Sequence, residues 1–206
     1  MSEKLVKNWN NRYQQDEYAY GKEPNQFYKE QIDNLKPGKA LFVAEGEGRN
    51  AVYAAKLGWD VHAFDISIEG KRKAERLAEE NQVNIAYQVG ELPTIDYQKE
   101  SFDLIVLIFA HLPPAIRTQY HELLKILLKK EGMIILEAFG KNNLAYRNKN
   151  PNIGGPQQLE MLLDTQELED TFQSYKIIQL EEKEGILKEG IYHNGKASLV
   201  NFIGIK

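Results

Sequence analysis

Leu41-Phe42-Val43-Ala44-Glu45-Gly46-Glu47-Gly48-Arg49-Asn50 is an apolar run that ends in a polar turn with two glycines one residue apart, and Ala51 to Leu57 continues it with helix-forming residues. Strand, tight turn and helix start in this order mark the place where open α/β sheets hold nucleotides. Glycine lets the backbone turn sharply and brings its amides close to a ligand, while the positive end of the following helix points at the same spot. Seventeen residues beyond Gly48, the alternating Val61-His62-Ala63-Phe64 ends in Asp65, with Ile66 after it. A second parallel strand ending there offers a carboxylate to ribose hydroxyls.

Composition limits what this turn serves. A chain of 206 residues, 42% of them apolar, fits one domain with a proper core. A net charge of −4 gives no electrostatic case for nucleic acid, whose phosphates call for a concentrated positive face. The lack of cysteine excludes disulfides, thiolate nucleophiles and cysteine metal sites. His62 and His121 have no metal-like partner at fixed spacing and read as structural, so no metal is expected. Met1-Ser2-Glu3-Lys4 lacks the apolar segment of a signal peptide, and Leu104 to Ala110 is too short to span a bilayer. The expectation is a cytoplasmic protein without a membrane partner.

Upstream of the turn, Lys4 to Gln31 is rich in aromatics: Trp9, Tyr13, Tyr18, Tyr20, Phe27 and Tyr28. The spacing of Leu5, Trp9 and Tyr13 predicts a short helix, residues 19–25 have loop chemistry, and Gln26 to Leu35 predicts a second helix. Two readings stand for this segment. Either its aromatics cover one edge of the core, or it is a lid in which Arg12, Tyr18, Tyr20 and Phe27 face the ligand.

Downstream, Ser67 to Glu80 predicts a solvent-facing helix with an apolar stripe of Ala74, Leu77 and Ala78. Asn84 to Val89 predicts a third strand leading into Gly90-Glu91-Leu92-Pro93, on the same side of the sheet as the glycine turn; Glu91 is there either an adenine contact or a surface carboxylate. Phe102 to Phe109 is nearly all apolar, as a strand buried on both faces must be, and it ends in Ala110-His111-Leu112-Pro113-Pro114. His111 falls at the site if this strand neighbours the first, where an imidazole either takes a proton or shapes the pocket. Helix Pro114 to Lys129, the turn Lys130-Glu131-Gly132 and strand Met133 to Ala138 follow. The alternation predicts a doubly wound parallel sheet. Gly140 to Pro156 reads as a long loop, Thr165 to Phe172 as a helix, and Lys176 to Glu181 with Ser198 to Lys206 as an antiparallel pair. Between them, Lys183 to Lys196 reads as a connection in which His193 is a solvated loop residue.

The order of elements, the loop Ala44 to Asn50, Asp65, Phe102-Asp103-Leu104-Ile105-Val106 and the terminal strand pair resemble class I S-adenosylmethionine-dependent methyltransferases over essentially the whole chain. Gly48-Arg49-Asn50, Trp9-Asn10-Asn11-Arg12-Tyr13, Gly154-Gly155-Pro156, Leu187-Lys188-Glu189-Gly190 and His193-Asn194-Gly195-Lys196-Ala197 resemble the tellurite-resistance and thiopurine methyltransferase-like branch. The resemblance implies a Rossmann-like, doubly wound, mostly parallel seven-stranded α/β sheet of order 3-2-1-4-5-7-6 with an antiparallel C-terminal strand. It implies a single domain over 1–206: a helical lid segment at 1–35, a cofactor-binding core at 36–140, and a substrate-side loop with closing strands at 141–206.

S-adenosyl-L-methionine is the implied cofactor, held by Glu45, Gly46, Gly48, Arg49, Asn50, Asp65, Ile66, Glu91, Leu92 and Ala110. In that scheme Gly46 and Gly48 face its methionine and ribose parts, Asp65 binds the ribose, Glu91 and the Leu92 amide contact adenine, and His111 and Leu112 lie near the transferred methyl. Arg49 is either a bidentate partner of the cofactor carboxylate or a surface salt bridge. The sequence departs from the family at two positions: Ala44 stands where the first loop glycine is usual, and Phe42 where an acid is usual.

The implied reaction is an in-line methyl displacement onto a small-molecule nucleophile (S, Se/Te, N or O), for which the protein supplies alignment and a dry pocket. A thiolate or selenide needs no base, whereas a phenol or amine profits from one, with His111 the candidate. No Asn-Pro-Pro-Tyr-type motif is present, and the covalent route to carbon-5 of cytosine needs a cysteine. Two other readings compete. Gly46 to Ala51 with Asp65 also fits an NAD-dependent Rossmann oxidoreductase, against which stand the terminal strand pair and the lack of a separate substrate domain. Phe42 and Ala44 also suit a cofactor-binding protein without catalytic activity.

Overall fold

A computed structural model describes residues 2–206; Met1, at the head of the opening tetrapeptide, lies outside the described residues. Seven strands, β1 (Lys39–Val43), β2 (Asp60–Asp65), β3 (Ala86–Val89), β4 (Phe102–Ile108), β5 (Leu128–Phe139), β6 (Lys176–Glu189) and β7 (His193–Ile205), form one sheet of order β3-β2-β1-β4-β5-β7-β6. β1 pairs in parallel with β2 on one side and β4 on the other, and β7 runs antiparallel to both β5 and β6. The chain reverses its direction of travel across the sheet between β1 and β4, which opens a crevice beyond their carboxyl ends. This is the doubly wound order expected of the chain.

The apolar run at β1 explains the layering. Successive side chains point to opposite faces of a strand, so a strand covered on both sides must be apolar throughout. Leu41 and Val43 pack with Ile105, Leu107, Leu124 and Phe202 on one face. Ala40 and Phe42 pack with Tyr28, Ala51, Ala54 and Val106 on the other. Phe42 is fully buried and meets Tyr28 edge-on, with centroids 5.8 Å apart. Burying such a side chain contributes about 1.5–3 kcal/mol, so the position where the family carries an acid is here a core position.

The helices that cover these faces are α1 (Glu3–Tyr13), α2 (Gln26–Ile32), α3 (Arg49–Lys56), α4 (Ile68–Glu80), α5 (Pro114–Leu127), α6 (Asn143–Lys149) and α7 (Thr165–Thr171). Ser67 caps α4 by accepting from the Gly70 amide at 3.0 Å. The buried stripe of α4 includes Lys73, whose Nζ donates to Glu47 Oε1 at 2.7 Å.

Three expectations from sequence are corrected. Residues 140–156 are not one long loop, because α6 and a short turn at Pro151–Ile153 fall inside it. Residues 130–132 are not a turn ahead of a strand; they lie within β5, where Glu131 adopts φ +62°. The stretch 183–196 is mostly strand: β6 runs to Glu189, only three residues turn, and β7 begins at His193. β6 is an edge strand whose exposed positions carry Lys176, Glu181, Lys183, Glu184 and Lys188 beside Ile178 and Ile186, and that mixed composition hides it from a hydrophobic pattern.

Candidate functional site

A cavity of about 380 Å³ opens beyond the carboxyl ends of β1, β2 and β4, with α1, Tyr20, Gly155-Pro156 and His193 closing its outer side. Backbone strain gathers at its floor. Ala44 after β1 has φ +51° and Phe109 after β4 has φ +54°, both in the left-handed region that favours glycine. Ala44 therefore takes the conformation of the glycine it replaces, at a cost of about 1–2 kcal/mol.

The two loop glycines are fixed by close packing. A Cβ on Gly46 (φ +63°) would lie 2.6 Å from Tyr13 Oη, and one on Gly48 (φ +87°) 2.6 Å from Ala74 Cβ. The turn thus lets α1 and α4 approach the backbone. Gly48 has no side chain to cap α3, and Glu45 does it instead: its Oε1 accepts from the Asn50 and Ala51 amides, each at 2.9 Å. A carboxylate suits the positive helix end, yet burial pushes Glu45 up to about 7.

Asp65 closes β2 and is 6% exposed. Its Oδ2 accepts from the Gly46 amide at 3.1 Å and its Oδ1 from the Ser67 amide at 2.8 Å. Burial raises it to about 6 despite these bonds. His111, after β4, is held at both nitrogens. Nδ1 lies 3.1 Å from the Met161 carbonyl and Nε2 accepts from the Phe139 amide at 3.2 Å, so the bonds require the Nδ1-protonated ring. Burial lowers it to about 4, and its ring stacks on Phe139 with centroids 5.6 Å apart. Such a histidine joins two chain segments and has no lone pair left for a proton, which favours the shaping role over the base.

Of the residues expected from sequence, Glu45, Arg49, Asn50, Asp65, Ile66, Ala110, His111, Leu112, Arg12 and Tyr20 line the cavity. Gly46, Gly48, Glu91, Leu92, Tyr18 and Phe27 do not. Leu92 is buried in the core, and the Glu91 carbonyl accepts from Thr94. Tyr18 packs on Val52, Leu77 and Ala78 and donates to the Lys73 carbonyl, while Phe27 packs in the cluster around Phe42. For these two aromatics the edge-covering reading replaces the lid reading. Arg12 donates to Tyr20 Oη at 2.8 Å and lies 4.4 Å from the centroid of Tyr192.

Arg49 is neither exposed nor free. Its Nη2 meets Glu189 Oε2 at 2.7 Å, with both side chains about one-tenth exposed or less, and its Nη1 donates to the Tyr20 carbonyl. Asn25 donates to Glu189 Oε1 at 2.9 Å and to Glu137 Oε1 at 2.7 Å, and Asn201 donates to Glu137 Oε2. Burial opposes the charge on Glu189, but Arg49 and His193 bring it down to about 2. His193 is 5% exposed, not a solvated loop residue, and it lines the cavity.

Sequence reasoning missed Trp9, Asn25, Glu137, Glu189 and His193 as neighbours of the site. Glu137 did leave a signal, as the one charge in the apolar run Met133 to Phe139. A buried charge needs partners, and that need points to a network.

Residues 40–132 match the methyltransferase domain family. Sequence comparison with curated proteins finds no match. Among solved structures, the chain is similar to one reported for the conversion of a disulfide bond into a thioacetal group during echinomycin biosynthesis, at 15% identity and TM-score 0.74, covering 98% of this chain and 91% of that one. It is similar to TehB from Haemophilus influenzae at 16% identity and TM-score 0.71, over 98% of this chain and 66% of that one. An S-adenosylmethionine-dependent methyltransferase from Methanosarcina mazei gives 19% identity and TM-score 0.66, over 89% and 98%. At these identities the likeness is one of fold.

Proposed function

We propose that the chain, whose residues 40–132 match the methyltransferase domain family, is a class I methyltransferase that carries the methyl group of S-adenosylmethionine to a small-molecule nucleophile (S, Se/Te, N or O) in the cytoplasm. The observation that carries the cofactor half of this reading is Asp65. A carboxylate offers about four acceptor positions, and the Gly46, Ser67 and Ile66 amides take at most three of them. A buried acceptor at the end of β2, on the cavity wall, is the chemistry that a ribose diol requires. Phe64, Leu112 and Tyr120 add apolar surface beside it for a base. The donor set therefore fits the cofactor: Asp65 would hold the ribose, with Ile66, Gly90 and Leu112 around the adenine and Ala44, Glu45 and Ala110 along the strand ends.

When bound, the cofactor supplies a methyl on a positively charged sulfur, which is already a good leaving group. The protein's own part is alignment and exclusion of water. Trp9 and Leu5 of α1 cover the cavity, Phe109 and Phe139 wall its far side, and His111 ties the Met161 segment to β5. Residues 2–35 and 141–206 supply the acceptor side, and residues 36–140 the cofactor side.

Calorimetry with S-adenosylmethionine, S-adenosylhomocysteine and NAD tests the reading. Micromolar binding of the first two is expected, and binding of NAD alone would overturn it. Cofactor binding without turnover on a panel of thiols, selenides, phenols and amines would make the chain a binding protein instead.

A further inference from the structure

Several polar side chains around the cavity are spent on the fold. Glu45 caps α3, Arg49 pairs with Glu189, and both nitrogens of His111 are bonded. His193 differs. Its Nδ1 lies 3.4 Å from Glu189 Oε2, and Glu189 is itself fixed by Arg49 and Asn25. Its Nε2 has no hydrogen-bond partner among the described residues. On that side stands Gly154, at φ +83°, where a Cβ would come within 3.2 Å of Nε2. The ring is gripped by Phe109, Tyr20 and Phe139, at centroid distances of 4.3, 4.4 and 5.2 Å.

We propose that His193 is the base that accepts the proton of the methyl acceptor, with Glu189 as its positioning residue. The inference rests on the methyl-transfer reading above. A carboxylate on Nδ1 fixes the tautomer that presents a lone pair at Nε2 and stabilises the imidazolium once the proton arrives, as in other carboxylate–histidine pairs.

The charged and titratable groups facing the ring are Glu189 from β6, Arg49 from α3, Arg12 from α1, and Tyr20 and His111. Burial, with Arg49 and Arg12 adding to it and Glu189 opposing, lowers His193 to about 4. It is therefore neutral and able to accept a proton at pH 7. In the step, the proton passes from the acceptor X–H to Nε2, and the electron pair left on X forms the X–CH3 bond. The pair of the broken C–S bond stays on sulfur, which leaves as a neutral thioether, and the imidazolium returns its proton to water.

Two probes separate a base from a wall: 4-cyanophenol, which keeps its proton at pH 7, and 4-nitrothiophenol, which does not. His193→Gln should lower kcat/KM for the phenol by about 100-fold or more and change it for the thiolate by less than about threefold. Glu189→Gln should shift the pH profile of the phenol arm only. Equal losses in both arms, or none, overturn the proposal. A second readout uses the unaltered protein with S-adenosylhomocysteine: the 15N resonance of His193 Nε2 should move on adding 4-cyanophenol, and a stationary resonance counts against the base. Failure to methylate either probe by a chain that binds S-adenosylmethionine overturns the inference alone; failure to bind the cofactor overturns the reading beneath it.

Discussion

Arg49 Nη2 and Glu189 Oε2 meet at 2.7 Å although 140 residues separate them in the chain. The contact joins the start of α3, beside the glycine turn, to the end of β6. Removing one partner strands a buried charge, which costs about 3–5 kcal/mol. Arg49→Leu should therefore lower the urea midpoint sharply. The pH dependence carries a sign. Glu189 sits near 2 when folded, below its ordinary carboxylate value, so the pair's contribution is present above about pH 4.3 and is lost as the pH falls toward 2. In Arg49→Leu, that acid limb should shrink.

Asp65→Ala should weaken cofactor binding by about 1–3 kcal/mol, through loss of charge-assisted bonds to the ribose. Since Asp65 titrates near 6, affinity in the unaltered protein should decline as the pH drops through 6. Calorimetry at pH 5 and pH 8 checks both statements; an Asp65→Ala protein that folds and binds as tightly as before refutes the assignment.

His111→Ala should act on stability and on KM, leaving the pH–rate profile in place. It abandons the Met161 carbonyl and the Phe139 amide, at about 1–3 kcal/mol for each buried group left unpaired. Loss of the acid limb, the fall in rate below the pKa of a general base, would instead show that His111 carries a proton in the reaction.

Gly48→Ala asks whether the second loop glycine serves ligand or packing. Positive φ and a Cβ 2.6 Å from Ala74 Cβ together predict a loss of roughly 2–4 kcal/mol in chemical unfolding. The loss should be the same with and without cofactor present, once binding itself is subtracted.

His121 offers a control away from the cavity. It is 3% exposed beside Phe172, and burial lowers it to about 4. Between pH 6.5 and 4 the unfolded chain takes up a proton there that the folded chain refuses, so stability rises with pH across that window. His121→Phe should remove on the order of 2 kcal/mol of this slope, measured as the difference in urea stability between pH 4.5 and 7.

The fold was legible because its centre is written in local patterns. Phe102 to Phe109 is apolar except for Asp103, the Gly46 and Gly48 turn follows β1 directly, and Ser67 caps α4 as its side chain suggests. β6 was half hidden, since Lys176 to Glu189 faces water along an edge and alternates weakly. The cavity wall was legible at Asp65, Ile66 and Ala110, because strand ends declare themselves. The wall around His193 was not. His193 lies three residues from a glycine turn in polar surroundings, and nothing within ten residues of it announces Phe109, Phe139 or Arg49. Ala44 shows the opposite case, in which a residue without glycine's freedom still adopts φ +51° because the strands on either side hold it there.

The sheet order carries one more consequence, for the making of the protein. β6 pairs with β7 alone, and β7 lies between β5 and β6. As the chain leaves the ribosome, β6 emerges with no edge to join until β7 has followed it and threaded into place. The Glu189–His193 pair and the bond from the Ile191 amide to the Ala19 carbonyl form only then. The cavity is thus built from distant parts of the chain, its floor from β1, β2 and β4 and the wall around His193 from the closing hairpin.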